Sequence, residues 1–192
     1  MGSLPSELGL IIQLTILYLY NNTLTGSLPS ELGQLTQLTT LALYRNQLTG
    51  HLPSELGLLT QITSLQLHNN LLMGFLPSEI GLLTHQLTSL GLSKNQLLGS
   101  LPSELGLLTQ LTALDLDNNQ LTGSLPSELG LLTKLTALFL YNNTLLTGIM
   151  PSSLCSAAVV IFIDCGEIAC TCCFSGGEYD ADLSIAFCTK GS

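Results

Sequence analysis

Residues 35–57 read LTQLTTLALYRNQLTGHLPSELG, and this stretch decides the fold because the chain repeats it. Units of 24 residues begin at Leu14, Leu38, Ile62, Leu87, Leu111 and Leu135, with one extra residue near His85 and another at Leu145 or Leu146. We call these units coils 1 to 6. Residues 2–13 match the end of an earlier unit, so the chain opens in mid-repeat. A short fixed period predicts a stack of similar units that bury their leucines against one another.

Each unit contains the pattern of a short strand. In coil 2, Leu41 and Leu43 alternate with outward residues, the period-two pattern of a strand with one buried face. Stacking then pairs the strands into a parallel sheet. An asparagine follows every strand, and we expect its amide to bond the backbone there: Asn22, Asn46, Asn70, Asn95, Asn119 and Asn143. The repeated Pro-Ser-Glu, as at Pro29, predicts the start of a short helical turn.

The same landmarks identify a family. The units resemble the plant-type leucine-rich repeat, LxxLxxLxLxxNxLxGxIPxxLG, over about residues 2–154, and the recurring LPSELGLLTQLT is similar to repeats of diatom and other algal proteins. The resemblance implies an α/β repeat solenoid: a right-handed, curved leucine-rich repeat with a parallel β-sheet on the concave side and short helical turns on the convex side.

The composition changes after residue 154, which divides the chain into a solenoid (1–154) and a cysteine-rich C-terminal segment (155–192). All six cysteines lie in that segment: Cys155, Cys165, Cys170, Cys172, Cys173 and Cys188. The algal resemblance implies that this segment caps the solenoid. An even number of clustered cysteines predicts disulfides and an oxidising compartment, with the pairing left open. The alternative, a C-x-x-C redox or zinc pair at Cys170 and Cys173, lacks a second ligand pair.

These features predict a secreted or cell-surface protein. The first residues lack the basic start and the long apolar stretch of a signal peptide, so we expect a processed protein or a fragment that lacks its signal peptide and N-terminal cap. The open N-terminal edge, with Leu4, Leu8 and Leu10, predicts head-to-tail self-association. Two sequons make Asn21 and Asn142 candidate glycosylation sites, although both also fit the recurring Asn-Asn of the scaffold.

Composition excludes several functions. Thirteen acids against four bases give a net charge of −9, which disfavours nucleic acid, and no apolar run reaches the length of a membrane span. Phosphate-loop, nucleophile-elbow and metalloprotease motifs are absent, so we predict no enzyme, no metal and no cofactor. Asp115 and Asp117 have the spacing of a glycosidase pair on one strand face. Because an open sheet should leave both carboxylates solvated with ordinary pKa values, we expect an acidic ligand-binding spot instead.

Comparison of the coils suggests where a partner binds. The scaffold positions hardly vary, whereas the outward strand positions differ in nearly every unit, and exposed aromatic residues are enriched at interfaces. The resemblance implies that a protein, peptide or glycan binds this concave face; the bland alternative is tolerated drift at solvent positions. The predicted ligand-binding residues are Tyr18, Tyr20, Tyr44, Arg45, Gln66, His68, Lys94, Asp115, Asp117, Phe139 and Tyr141.

A second hypothesis concerns ice. Two threonine columns flank the strands on a flat, nearly uncharged surface, an array that resembles ice-binding solenoids, including a plant antifreeze protein of this repeat class. One column contains Thr15, Thr39, Thr63, Thr88, Thr112 and Thr136, and the other Thr36, Thr60, Thr84, Thr109 and Thr133. The alternative is structural, because threonine suits the approach to a strand and its hydroxyl bonds locally.

Overall fold

The computed structural model describes residues 2–156, 159–164, 168–169, 179–180 and 185–188. Its main feature is a nine-stranded sheet on the concave side, in the order β1-β2-β3-β5-β7-β9-β11-β14-β13. Strands of successive coils pair in parallel with no register slip, as in Leu17 with Leu41 and Leu41 with Leu65. The strands are β1 (Ile16–Tyr18), β2 (Thr40–Ala42), β3 (Ser64–Gln66), β5 (Ser89–Gly91), β7 (Ala113–Asp115), β9 (Ala137–Phe139), β11 (Val160–Asp164), β13 (Tyr179–Asp180) and β14 (Ile185–Cys188).

A second parallel sheet lies further along each coil, in the order β12-β10-β8-β6-β4. Its strands are β4 (Met73–Phe75), β6 (Gln96–Gly99), β8 (Gln120–Ser124), β10 (Leu145–Ile149) and β12 (Ile168–Ala169). Single bridges continue the ladder toward the N-terminus, from His51–Met73 to Ser3–Thr25. The glycine of each of these segments has a positive φ, such as 78° at Gly50, which explains the recurring glycine column.

The convex side is formed by single 3₁₀ turns, one to a coil. They span Ser6–Leu10, Ser30–Gln34, Ser54–Leu58, Ser78–Leu82, Ser103–Leu107 and Ser127–Leu131. The preceding proline is the extended N-cap, as at Pro29 with ψ 138°, rather than the first helical residue. Neighbouring turns approach closely: a Cβ added at Gly81 would lie 2.6 Å from the carbonyl oxygen of Glu104. In coil 6, the helix α1 (Ser152–Ser156) takes the place of the 3₁₀ turn. These features confirm the predicted α/β solenoid.

Leucines fill the interior between the two sheets and the turns. Leu38, Leu41 and Leu43 are fully buried, as are their counterparts in the inner coils. Burial of each such side chain contributes about 2 kcal/mol of favourable transfer free energy. In coil 1 the equivalent Leu14 and Leu17 are only partly buried, because no complete coil covers them.

The asparagine column bonds the coils together, as the sequence predicted. In coil 3 the Nδ2 of Asn70 donates to the carbonyls of Leu43 and Leu67, both at 3.0 Å. Its Oδ1 accepts from the backbone N–H of Leu48 at 3.1 Å. Each inner asparagine therefore satisfies backbone groups of its own coil and of the preceding one, in a buried position.

The C-terminal segment continues the concave sheet. Strand β11 pairs in parallel with β9, and β14 then pairs with β11 in the antiparallel direction. The Asp164 carboxylate accepts from the backbone N–H groups of Asn142, at 2.9 Å, and Asn143, at 3.0 Å. Of the predicted disulfide residues, four lie outside the described residues, and only the backbone of Cys155 and Cys188 is described. Within the described part of the chain, no helix is long and apolar enough to cross a membrane.

Candidate binding surface

The in-register stacking places the variable side chains in three rows that run across the coils of the concave face. The second row contains Tyr18, Ala42, Gln66, Gly91, Asp115 and Phe139, and the register adds Phe162 from β11. The third row, just beyond the strands, contains Tyr20, Tyr44, His68, Ser93, Asp117 and Tyr141. In the first row, from Ile16 to Ala137, each side chain is small, aliphatic or hydroxyl-bearing.

Aromatic rings stack along the N-terminal half of the third row. The ring centroids of Tyr20 and Tyr44 are 4.7 Å apart with planes 2° apart, and those of Tyr44 and His68 are 4.4 Å apart at 11°. Tyr18 meets Tyr20 edge-on at 5.9 Å. Both faces of the Tyr44 ring are therefore covered, and the stack offers edges and polar tips to a ligand.

A second aromatic group lies at the C-terminal end. Phe139 and Phe162 are 4.9 Å apart, and Tyr141 and Phe162 are 6.4 Å apart. Sequence reasoning missed Phe162 because it lies beyond the last repeat. The alternation of Val160, Phe162 and Asp164 with buried Ile161 and Ile163 was the available signal of a seventh concave strand.

Arg45 and Lys94, the two basic residues beside the third row, have an unfavourable backbone conformation. The residue after the third row has a positive φ in every coil: Asn21, Arg45, Asn69, Lys94, Asn118 and Asn142, between 53° and 58°. Asparagine tolerates this left-handed region, whereas long side chains rarely adopt it. Arg45 and Lys94 are both exposed at the rim of the concave face. Two coils therefore hold a cation where the local geometry favours asparagine.

The two carboxyl groups of coil 5 differ from the sequence-based expectation. Asp117 is only 4% exposed and accepts a hydrogen bond from the amide of Asn118. The Oδ2 of Asp115 accepts from the Ser93 hydroxyl at 3.0 Å, whereas its Oδ1 is buried without a partner among the described residues. Burial and the adjacent Asp117 carboxyl raise the pKa of Asp115 to about 7. The expectation of two solvated carboxylates with ordinary pKa values was wrong, because packing within the sheet buries Asp117 and partly buries Asp115.

Neighbouring side chains converge on the same region from coils 3 and 6. Burial, with a contribution from Arg45, lowers the pKa of His68, and its Nδ1 is also buried without a partner among the described residues. Gln66 donates to the Ser89 hydroxyl at 2.8 Å. Burial and the Asp117 carboxyl raise the pKa of Tyr141. The centre of the face is therefore a polar cluster between two aromatic groups.

The threonine columns differ in what their hydroxyls do. In the column nearest the strands, each hydroxyl donates to the backbone carbonyl of the preceding threonine, at 2.9 to 3.0 Å, for Thr39, Thr63, Thr88, Thr112 and Thr136. In the other column, Thr36, Thr60, Thr109 and Thr133 are exposed and Thr84 is half-buried. The structural interpretation therefore accounts for the first column.

The repeats match a family model. The leucine-rich repeat model matches residues 13–35, 37–59, 86–108 and 110–132. The ectodomain of the receptor kinase SOBIR1 from Arabidopsis thaliana is 30% identical to this chain, with a TM-score of 0.62, and the match covers 66% of this chain and 67% of the ectodomain chain. The chain therefore belongs to the leucine-rich repeat family. Among curated proteins, no sequence matches it.

Other solved plant ectodomains share the fold. The leucine-rich repeat ectodomain of GASSHO1/SCHENGEN3 from Arabidopsis thaliana, in complex with CASPARIAN STRIP INTEGRITY FACTOR 2, is 39% identical with a TM-score of 0.81. The match covers 88% of this chain and 20% of that one. The Arabidopsis receptor kinase HAESA, in complex with the peptide hormone IDA and the co-receptor SERK1, is 32% identical with a TM-score of 0.78. That match covers 85% of this chain and 28% of HAESA, so the chain spans under a third of either receptor structure.

A plant ice-binding protein has a similar structure, with a TM-score of 0.66. It is 23% identical, and the match covers 88% of this chain and 69% of that protein. At this identity the likeness describes the fold alone.

Proposed function

We propose that the concave face, from Tyr20 to Phe162, binds a protein or peptide partner and catalyses no reaction. The main support is the contrast within each coil: the scaffold side chains repeat, while the residues of the second and third rows differ and form distinct aromatic and polar zones. Random drift at solvent positions does not explain aromatic residues at both ends of one continuous surface.

The stacking geometry favours a peptide over a glycan. Sugars pack their C–H faces on the faces of aromatic rings, but the faces of Tyr44 are covered by Tyr20 and His68. An extended peptide can run along the rows, where its polar groups meet the exposed ring edges and the tyrosine hydroxyls. The HAESA ectodomain, which has the same fold, was solved with a peptide hormone bound.

The backbone conformation of Arg45 and Lys94 gives independent support. A left-handed φ at a residue with a long side chain costs about 1 kcal/mol or more, and such strain concentrates at functional positions. The coils that keep asparagine avoid this cost. We infer that these two cations are held at the rim because they contact the partner.

The ice-binding alternative has weaker support. It rests on the exposed threonine column and on a fold shared with a plant ice-binding protein. In the column nearest the strands, the hydroxyl protons are already donated to backbone carbonyls, so they are not free to bond water in an ice lattice.

Several finer features belong to this proposal. We infer an extracellular protein whose residues 155–192 cap the solenoid and are cross-linked by disulfides.

Asn21 and Asn142 are exposed, but the Asn142 amide donates to Asn118 at 2.9 Å, so a glycan suits Asn21 better. Self-association would use the partly uncovered coil 1. The edge strand at the other end of the sheet is β13, which runs antiparallel to β14 and therefore in the direction of the coil strands, so this edge is compatible with the head-to-tail stacking predicted from the sequence.

The proposal is tested by selecting binders from a random linear peptide library against the full chain. We expect the Kd of selected peptides to rise at least about tenfold for Tyr44→Ala and for Tyr141→Ala, the cost of losing one aromatic anchor. The matched control is Glu55→Ala, an exposed position of the convex side. Peptides whose affinity depends on the convex side and is unchanged by both tyrosine variants would refute the proposal.

A further inference from the structure

The outward face of the second sheet, on the flank of the solenoid, has one region that breaks the repeat. In the described coils, the three outward positions of this sheet are mostly Gln, Thr and Ser. In coil 3 all three are apolar: Leu71, Met73 and Phe75 are 43%, 39% and 69% exposed. Leu98 of coil 4, which is 40% exposed, pairs with Phe75 in the sheet and completes the group. We call these four side chains the flank patch.

The flank patch lies flat on the sheet. The Phe75 ring lies against Gly99 of the next coil, since a Cβ added at Gly99 would be 2.6 Å from the Phe75 Cε1. The His51 ring lies in the same way against Gly74, where an added Cβ would be 2.9 Å from the His51 Nε2. Rings held along the sheet give an even surface, and even sheet faces pack on each other through apolar side chains. The patch therefore suits a second flat face.

The flank patch is large enough to mark an interaction surface. Its four side chains expose roughly 300–400 Å², the size of the largest apolar patch on a typical monomer. Leu145 and Ile149 of coil 6 are also exposed, but the polar coil 5 separates them from the patch. Among the outward positions of the second sheet in coils 1 to 6, none is Asp, Glu, Lys or Arg. Two copies of a chain with a net charge of −9 can therefore meet on this flank without opposing like charges.

The two edges of the flank carry opposite charge. Arg45 and Lys94 lie at the edge that adjoins the concave face, just before the second-sheet segments of coils 2 and 4. Exposed glutamates lie at the edge that adjoins the convex side, in the 3₁₀ turns that follow: Glu55, Glu79 and Glu104. A two-fold axis along the stack places the basic edge of one copy opposite the acidic edge of another, whereas an axis along the strands places like edges together. Charge complementarity selects the first arrangement.

We propose that the flank patch joins two copies of this chain in a symmetric dimer whose two-fold axis runs along the stack. Each patch covers the other, with Met73, the middle residue of coil 3, closest to the axis. The surrounding Gln, Thr and Ser side chains of coils 2, 4 and 5 form the polar rim, because a specific interface takes roughly 800 Å² from each copy. The contact is isologous and closes at two copies, unlike stacking through coil 1.

This dimer goes beyond the proposed function because it leaves both concave faces free. The axis along the stack turns the two faces to opposite sides, so one dimer can bridge two partner molecules. Arg45 and Lys94 lie at the boundary between the two surfaces. The second copy's glutamates approach them from the flank, and the peptide approaches them from the concave face.

The test is sedimentation equilibrium of the full chain without peptide, over a range of concentrations. We expect a mass that rises with concentration and stops at twice that of the chain. The coil 3 variant, Leu71→Gln with Met73→Thr and Phe75→Ser, takes the residues that coil 5 already holds at these positions, so it should fold. Its dimer dissociation constant should rise at least about tenfold. The matched control, Leu58→Gln, removes a 52% exposed leucine from the convex side, where coil 1 has Gln34, and should leave the dissociation constant unchanged.

Charge reversal tests the orientation of the two copies. Arg45→Glu with Lys94→Glu makes both edges of the flank acidic and should weaken the dimer about threefold or more at low salt. Adding Glu55→Lys, Glu79→Lys and Glu104→Lys to the same chain exchanges the two edges and should restore the dissociation constant. A purely structural role of either cation would not be restored by changes on the convex side.

The inference is overturned if the full chain stays monomeric at all concentrations, if the coil 3 variant associates as strongly as the unchanged chain, or if exchanging both edges fails to restore the dimer. These failures differ from a failure of the proposed function, which is measured on the concave face. The coil 3 variant should bind each selected peptide with an unchanged Kd per site.

Discussion

Replacing Arg45 by asparagine should make the solenoid more stable while it weakens partner binding. Arg45 has a φ of 55°, and Asn69 holds the equivalent place in the next coil with a φ of 58°. The left-handed conformation costs an ordinary side chain about 1 kcal/mol or more, and asparagine less. The Arg45 side chain is exposed, so little packing is lost. We therefore expect Arg45→Asn to raise the free energy of unfolding by about 0.5–1 kcal/mol.

The measurement is urea unfolding at constant m-value, where this gain moves the midpoint by about 0.3–0.5 M. The reverse variant, Asn69→Arg, is the matched control and should lose a similar amount. In the peptide assay, Arg45→Asn should bind more weakly although it is better folded. If Arg45→Asn leaves the free energy of unfolding unchanged or lowers it, the backbone at Arg45 is not strained, and the position of this cation at the rim is no longer an argument for function.

Three further outcomes follow from the contacts. Asn70→Ala leaves the buried Leu48 N–H without its partner and removes one of the two amide donors from each of the Leu43 and Leu67 carbonyls, so it should cost about 2 kcal/mol by urea unfolding. Asn22→Ala at the open end should cost less than about 1 kcal/mol. The raised pKa of Asp115 means that between about pH 4 and 7 this carboxyl is protonated in the folded state and ionised in the unfolded state. The free energy of unfolding should therefore fall by about 1–2 kcal/mol as the pH rises over this range, after allowance for the partial solvation of Asp115. Asp115→Asn should flatten this slope, and an unchanged slope would mean that another group is responsible. Thr63→Val should lower the free energy of unfolding by about 1 kcal/mol through the lost hydrogen bond to the Thr39 carbonyl, and it should leave peptide binding unchanged. If the variant binds peptide more weakly, the peptide site includes the threonine column beside the strands.

Much of the scaffold could be predicted because repetition multiplies weak signals. One asparagine after one strand says little, but six at a fixed spacing predict a ladder, and the hydrogen bonds of Asn70 confirm its role. The parallel register follows from the same argument, since equal units stack without slip. The exact placement of Pro29 as N-cap, and the 3₁₀ form of the turns, depend on local backbone angles that the pattern does not specify.

The site was harder to predict because its chemistry depends on what packs around each side chain. The sequence places Asp115 and Asp117 on one face, but their burial and the raised pKa of Asp115 depend on neighbours in other coils, such as Ser93. Phe162 was missed because the repeat had already ended. The strain at Arg45 and Lys94 was invisible in a pattern that shows only that they replace asparagine.

The most direct test of peptide recognition by the concave face is ¹⁹F NMR of the full chain labelled with 3-fluorotyrosine. The resonances of Tyr20, Tyr44 and Tyr141 are assigned by single Tyr→Phe replacements, and a selected peptide is titrated in. If the peptide lies along the concave rows, the Tyr20, Tyr44 and Tyr141 resonances shift together and saturate at the Kd measured independently. If the peptide binds with that Kd while all three resonances stay where they were, the partner site is elsewhere on the solenoid.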